Sequence, residues 1–224
     1  MKAFKIGDYR DYKISDSDVV HRVLSGEKEL YEILMRRNNQ TLYRVIRSYL
    51  KETDEIEDIM QNTYLKAYEK LYQFKHTSKF STWLIRIGIN EALARLKSKG
   101  RFYTLHKSIE NSIDSKILEI PDSSQTNPEK KIINQEAKQM LEIAIDKLDI
   151  KYRNVYILRE IEGMSIAEVS DCLKLSNSNV KVRLHRAKAK IKENLYKSTS
   201  KKELFEFGLN KCDTLVEKVM KAIM

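Results

Sequence analysis

Arg86, Asn90 and Lys97 lie in one run, FSTWLIRIGINEALARLKSKGR, from Phe80 to Arg101. Positions four and eleven after Arg86 return to nearly the same angle of an α-helix, so the three form one polar stripe. A guanidinium and an ammonium donate to phosphates, and a carboxamide both donates and accepts and so reads a base edge. Asn is a poor helix former, and its place in mid-helix calls for a reason beyond propensity. A second set, Ser178, Lys181, Val182, His185 and Arg186, shares one helical face in NSNVKVRLHRAKAK. A third, Asp58, Gln61, Asn62 and Leu65, shares the outer face of IEDIMQNTYLKAYEKLYQF. All of this is chemistry of contact. No metal-ligand spacing, phosphate-cradling Gly loop or nucleophile elbow stands out, and the four His are scattered. No catalytic residue, metal, cofactor or small-molecule substrate is expected.

The elements that must carry these residues are helices. Apolar side chains recur at helical spacing as Val19 and Val23, Leu30 and Leu34, then Leu42, Ile46 and Leu50, then Ile56, Ile59, Tyr64, Tyr68 and Leu71. The spacing predicts a first domain of four helices within residues 1–103. Phe74 and Phe80 have two readings, stacking on a base or packing in the core, and the core is favoured for them as for Trp83. From 104 to 127 the periodicity fades into a stretch rich in Ser, Asn and Asp that holds Pro121 and runs up to Pro128, which reads as an extended linker. Asn127 and Pro128 predict an N-cap and first turn, with Glu129 at the positive helix end.

The second domain, 128–197, contains a helix-turn-helix. Gly163 ends one helix, Ser165 and Glu168 form a capping box that opens a short one ending near Leu173, and Ser176 caps a longer one through Leu195. In this motif the second helix enters the major groove with its N-terminal residues at the base edges. The tail, 198–224, repeats Phe205, Leu209, Cys212, Val216, Val219 and Ile223 along one amphipathic helix, which must pack on one of the domains or on a regulator. The fold class is therefore all-α, two helical domains and a C-terminal amphipathic helix.

Composition agrees. Two Pro and six Gly among 224 residues leave little room for a turn-rich β fold, and a net charge of +10 with pI near 9.4 suits a polyanionic partner. Without an apolar run that spans a bilayer or a cleavable leader, no membrane insertion is expected and the location is cytoplasmic. Cys172 and Cys212 read as buried thiols.

The motifs in order resemble bacterial sigma factors of the extracytoplasmic-function (ECF) group. Phe80, then Thr82-Trp83-Leu84, then Arg86-Ile87 and Asn90 before a basic run resemble the promoter-reading segment; Asp58 and Gln61 resemble the core of the polymerase-clamp helix. Gly163, Ser165, Glu168, Val169, Leu173, Leu175, Ser176, Val180, Lys181, Arg183, Leu184, Arg186, Ala187 and Lys188 match the family's second DNA-binding motif. The resemblance implies that the loop Phe74 to Ser81 receives a base flipped from the melted downstream element, with Lys75, Lys79 and Ser81 near the strand and Asn90 reading it beside Arg86 and Lys97. It implies that Ser178, Lys181, Val182, His185 and Arg186 contact the upstream element. Asp58, Gln61, Asn62 and Leu65 would clasp the clamp coiled coil of the largest subunit of core RNA polymerase. Asn62 stands where an acidic residue is usual, and Ser178 and Asn179 fill places where small residues are usual. The implied function is promoter recognition, melting and transcription initiation with core polymerase and promoter DNA, restrained by an anti-sigma factor. The competing readings are a stand-alone helix-turn-helix transcriptional regulator, which binds duplex DNA by itself, and an enzyme acting on nucleic acid, which needs clustered acidic metal ligands.

Overall fold

The computed structural model describes residues 14–105 and 128–198, and every regular element among them is helical. Helix α1 (Asp16–Leu24) starts at Ser15, whose hydroxyl accepts the Asp18 N–H at 3.2 Å, and Asp16 and Asp18 oppose the positive end of the helix dipole. A 3-10 turn (Lys28–Leu30) leads into α2 (Tyr31–Arg47), followed by α3 (Thr53–Glu69), a second 3-10 turn (Leu71–Gln73) and α4 (Phe80–Leu105). The apolar stripes foreseen from spacing point inward: Val19, Val23, Leu30, Leu34, Leu42, Ile46, Leu50, Ile56, Ile59, Tyr64 and Leu71 are buried, and Tyr68 packs against them half-buried. Two buried phenols are satisfied by backbone. The Tyr31 hydroxyl donates to the Tyr64 carbonyl at 2.8 Å, and the Tyr64 hydroxyl lies 3.1 Å from the Met35 carbonyl oxygen. Burial pushes both phenols well above the ordinary tyrosine value.

Helix α4 lies across α2 and α3 at close range because Gly88 has no side chain. A Cβ there would stand 2.8 Å from Leu42 Cδ1 and 3.5 Å from Thr63 Cγ2. Gly in mid-helix costs about 1 kcal/mol against Ala, and the close approach offsets that cost with packing along the whole N-terminal half of α4.

The second half comprises α5 (Pro128–Asp146), α6 (Ile150–Tyr156), α7 (Ile166–Leu173) and α8 (Asn177–Ser198). Helix α6 runs into one wide π-turn (Ile157–Ile161), which the Glu162 N–H closes by donating to the Ile157 carbonyl at 2.9 Å. Gly163 then takes the left-handed conformation with φ +66°, which favours Gly and ends the run where the sequence indicates. Ser165 and Glu168 form the expected capping box, Lys174 turns the chain with φ +52°, and the Asn179 N–H donates to the Ser176 hydroxyl at 3.2 Å to start α8. A small core of Ala144, Ile145, Leu148, Tyr152, Ala187 and Ile191 joins α5, α6 and α8.

The two halves are not beads on a string. Val155, Leu158, Met164, Val169, Cys172 and Val180 belong to the same apolar cluster as the core of α1 to α4. Periodicity within each helix gives no hint of this shared core. Cys172 is buried as foreseen, and its thiol is pushed up to about 12 by burial. The Asn127 cap, residues 106–127 of the linker, Cys212 and the rest of the tail stripe lie outside the described residues.

Candidate nucleic-acid interface

Helix α4 displays its polar stripe as its spacing requires. Arg86, Asn90 and Lys97 are exposed, while Leu84, Ile85, Ile89 and Ala92 are buried beneath them. The basic run is divided between two tasks. Arg95 and Lys99 both pair with Glu55 of α3, Arg95 at 3.0 Å; burial by itself would raise the Glu55 carboxyl, yet the two cations carry it below its ordinary value. Those cations hold α4 to α3, and Lys97 points elsewhere.

The loop before α4 is anchored by aromatics. Phe74 and Phe80 are buried, and with Trp83 their ring centroids are 5.5 to 5.8 Å apart, so these residues are core and not a stacking platform. Lys75 and Lys79 are exposed at the loop, and Ser81 is half-buried. Beside them lies a hollow of about 340 Å³ lined by Asp16, Ser17, Phe74, His76, Ser78 and Lys79. His76 has φ +56°, packs tilted against Phe74 with ring centroids 4.5 Å apart, and shares a 3.0 Å hydrogen bond between its Nδ1 and the Ser17 hydroxyl. The share of α1 in this hollow was not legible: Ser17 and His76 are 59 residues apart and meet only because α1 packs beside the loop.

On α8 the face Ser178, Lys181, Val182, His185 and Arg186 is exposed, and Val180, Ala187 and Ile191 are buried on the opposite side. Arg186 is not a loose cation. Its guanidinium stands close enough to the Tyr152 phenol of α6 to hold that phenol below its ordinary value, and Lys151 and Lys190 Nζ lie 5.1 and 5.8 Å from the ring centroid. Tyr152 is thus a core residue beside this face, and nothing in its local sequence pattern announces that neighbourhood. Lys188 pairs with Glu160 of the π-turn at 3.0 Å.

Asp58, Gln61, Asn62 and Leu65 form an exposed patch on α3, with Leu65 55% exposed over buried Ile56, Ile59, Thr63 and Tyr64. Among the described residues no group of three His, Cys, Asp or Glu is placed to hold a metal, and no helix is long and apolar enough to cross a membrane.

Two family models match the chain, Sigma-70 region 2 over residues 34–102 and Sigma-70, region 4 over residues 138–191. The chain belongs to the sigma-70 family. Its relatives place this sigma factor in the ECF group. The ECF RNA polymerase sigma factor SigW of Bacillus subtilis is 26% identical over 176 residues, covering 79% of this chain and 94% of that protein. The ECF RNA polymerase sigma-E factor of Escherichia coli K12 is 28% identical over 181 residues, covering 80% and 93%. Among solved structures, the sigma factor RpoE in complex with the anti-sigma factor NepR from Bartonella quintana has a TM-score of 0.60 at 20% identity, covering 74% of this chain and 96% of that one. CnrH in complex with the cytosolic domain of CnrY has a TM-score of 0.56 at 23% identity, covering 82% and 99%. Both share the fold of this sigma factor.

The helix-turn-helix of the factor depends on the capping box. The Ser165 backbone N–H donates to Glu168 at 2.7 Å, and the Glu168 N–H donates to the Ser165 hydroxyl at 3.2 Å. These bonds, the backbone one foremost, hold the Glu168 carboxyl below its ordinary value of 4.5. A depressed carboxyl stabilises the fold above its unfolded value and loses that contribution as pH falls through the folded value. Glu168→Gln is therefore expected to melt below wild type at pH 7, by about 1 kcal/mol for a cap of this kind. The two melting curves should converge as pH falls below the ordinary carboxyl range; a gap independent of pH would assign the loss to shape and not to charge.

Proposed function

We propose that this chain is an ECF sigma factor that binds core RNA polymerase, directs it to promoters and helps melt the start site. The observation that carries the reading is the pairing, in one chain, of an exposed Arg86, Asn90 and Lys97 stripe on a region-2 helix with an exposed Ser178 to Arg186 face on a region-4 helix-turn-helix. The chain works with core polymerase and promoter DNA. In this reading Lys75, Lys79, Ser81, Arg86, Asn90 and Lys97 engage the melted downstream element, and the hollow beside His76 takes a flipped base in return for the few kcal/mol that unstacking costs. Ser178, Lys181, Val182, His185 and Arg186 engage the upstream element in the major groove. Asp58, Gln61, Asn62 and Leu65 meet the clamp coiled coil of the largest polymerase subunit, and an anti-sigma factor restrains the chain. The factor adds no covalent chemistry, which belongs to the polymerase, and it acts in the cytoplasm.

The test is run-off transcription from a genomic library with core polymerase and this protein. Initiation at a defined set of promoters that core enzyme alone does not use is expected. Binding of the protein by itself to a two-fold duplex site, with no core-dependent initiation, would favour the stand-alone regulator and overturn the reading. The same assay separates the sites. Asn90→Ala is expected to keep core affinity while losing base preference in the downstream element, and unchanged preference would remove Asn90 from the set.

A further inference from the structure

We propose that the segment Glu203 to Asp213 folds back on the second domain and fills a hollow between α6 and the end of α8, so that this domain extends past Ser198. The hollow has a volume of about 440 Å³ and is lined by Tyr156 of α6 and by Lys188, Ile191, Lys192, Leu195 and Tyr196 of α8. A water takes up only about 30 Å³ in the liquid, so the space has room for side chains. The α8 residues recur at steps of three, one, three and one, which keeps them on one face of the helix. That face is left unfinished: Tyr196 is 68% exposed, and Leu195 and Tyr156 are half-buried against the small core of α5, α6 and α8. Among the described residues no other element lines it.

The chain itself supplies the occupant. Residues 199–224 follow directly from the end of this face, and Ser198, Thr199 and Ser200 are of the types that favour turns and helix starts. Ser200 and Glu203 have the spacing of a capping box, which would open a helix running back along α8 after a short turn. The lengths agree: Lys188 to Tyr196 covers about 12 Å of helix, and Phe205 to Cys212 of the apolar stripe would cover about 10.5 Å. In that register Phe205 meets Leu195 and Tyr196, Leu209 meets Ile191 and Tyr156, and Cys212 comes level with Lys188. Charge agrees as well. Lys188 and Lys192 stand one turn apart on the rim, with Lys192 Nζ 5.8 Å from the Tyr196 ring centroid. Glu206 and Asp213 share one flank of the stripe, and in the same register both ammonium groups fall between these two carboxylates. A segment tethered by a short turn is present at millimolar effective concentration, which a second copy of the chain does not match in dilute solution. Seated in this way, Glu203 to Asp213 stay level with the last turns of α8 and leave the Ser178 to Arg186 face clear.

The test uses the full chain and needs no polymerase, so it stands apart from the transcriptional reading. Native Cys212 is the probe. Lys188→Cys is oxidised with diamide, and Glu193→Cys, exposed on another side of the same stretch of α8, is the comparison. Cys172 is buried with its thiol pushed up to about 12, so it reacts slowly. An intramolecular disulfide from the introduced thiol to Cys212 is expected, about tenfold or more faster in Lys188→Cys than in Glu193→Cys, because a seated segment favours one position and a loose tether treats both alike. Non-reducing electrophoresis and peptide mapping give the rates and the pairing. Equal rates, including no bond at either position, would overturn the proposal. A disulfide-linked dimer of Lys188→Cys would also overturn it, by placing a second copy in the hollow. Hydrogen exchange gives an independent reading: Leu209→Asp is expected to speed exchange of the 188–198 amides by about tenfold or more, the equivalent of one leucine's burial, with α2 and α3 unchanged. Unchanged exchange over 188–198 would overturn the seat, and if this variant unfolds throughout, the disulfide rates decide alone.

Discussion

Asp58→Ala combined with Gln61→Ala is expected to weaken binding to core polymerase by roughly 30-fold or more, because central interface contacts typically cost 2 kcal/mol or more on truncation. The melting temperature should hardly move. Both side chains are exposed on α3, and surface changes away from caps and core usually stay within about 0.5 kcal/mol of wild type. Leu65 sits in the same patch with more than half its surface in water, an apolar centre ringed by polar groups, which is the layout of a docking site. Titrating labelled factor into core enzyme gives the affinity, and a thermal melt gives the control. Loss of binding in step with loss of melting temperature would make these residues structural; unchanged binding would move the polymerase contact elsewhere.

Arg186→Ala should cost about 1 to 3 kcal/mol of discrimination at one position of the upstream element, the range for a side chain bonded to a base edge. Because the Tyr152 phenol lies beside the guanidinium, Tyr152→Phe should relax the same position by a smaller amount than Arg186→Ala. Lys181→Ala is a useful contrast. If it meets phosphate, binding falls evenly across sequences and the salt slope drops by about one. Transcription from a panel of single-base promoter variants separates the patterns, and equal losses at every base for Arg186→Ala would reassign it to the backbone.

Much of the fold was legible because it is local. A stripe such as Leu42, Ile46 and Leu50 states its own burial, and Ser165 with Glu168 announces a helix start three residues wide. The exposed faces of α3, α4 and α8 follow from the same periodicity. What was hidden is what depends on meeting at a distance. Tyr152 looks like any core aromatic until α6 and α8 cross and bring Lys190 Nζ to 5.8 Å from its ring centroid. Asp171 looks like a solvated charge until α7 swings against α4 and Arg86. The π-turn at Ile157–Ile161 has no local signature either; one extra residue in a helical turn keeps the apolar pattern nearly intact. The single core running through both halves is hidden for the same reason, since an apolar face does not name its partner.

The contact at Gly88 also has a historical meaning. Since a Cβ there falls 2.8 Å from the tip of Leu42, itself fully enclosed, positions 42 and 88 compete for one volume. A lineage can enlarge one only after shrinking the other. The pair should therefore drift together among descendants of this chain, large with small, and the order of the two substitutions is constrained: the reduction at 42 leaves a tolerable void, whereas enlargement at 88 arriving first jams α4 against α2.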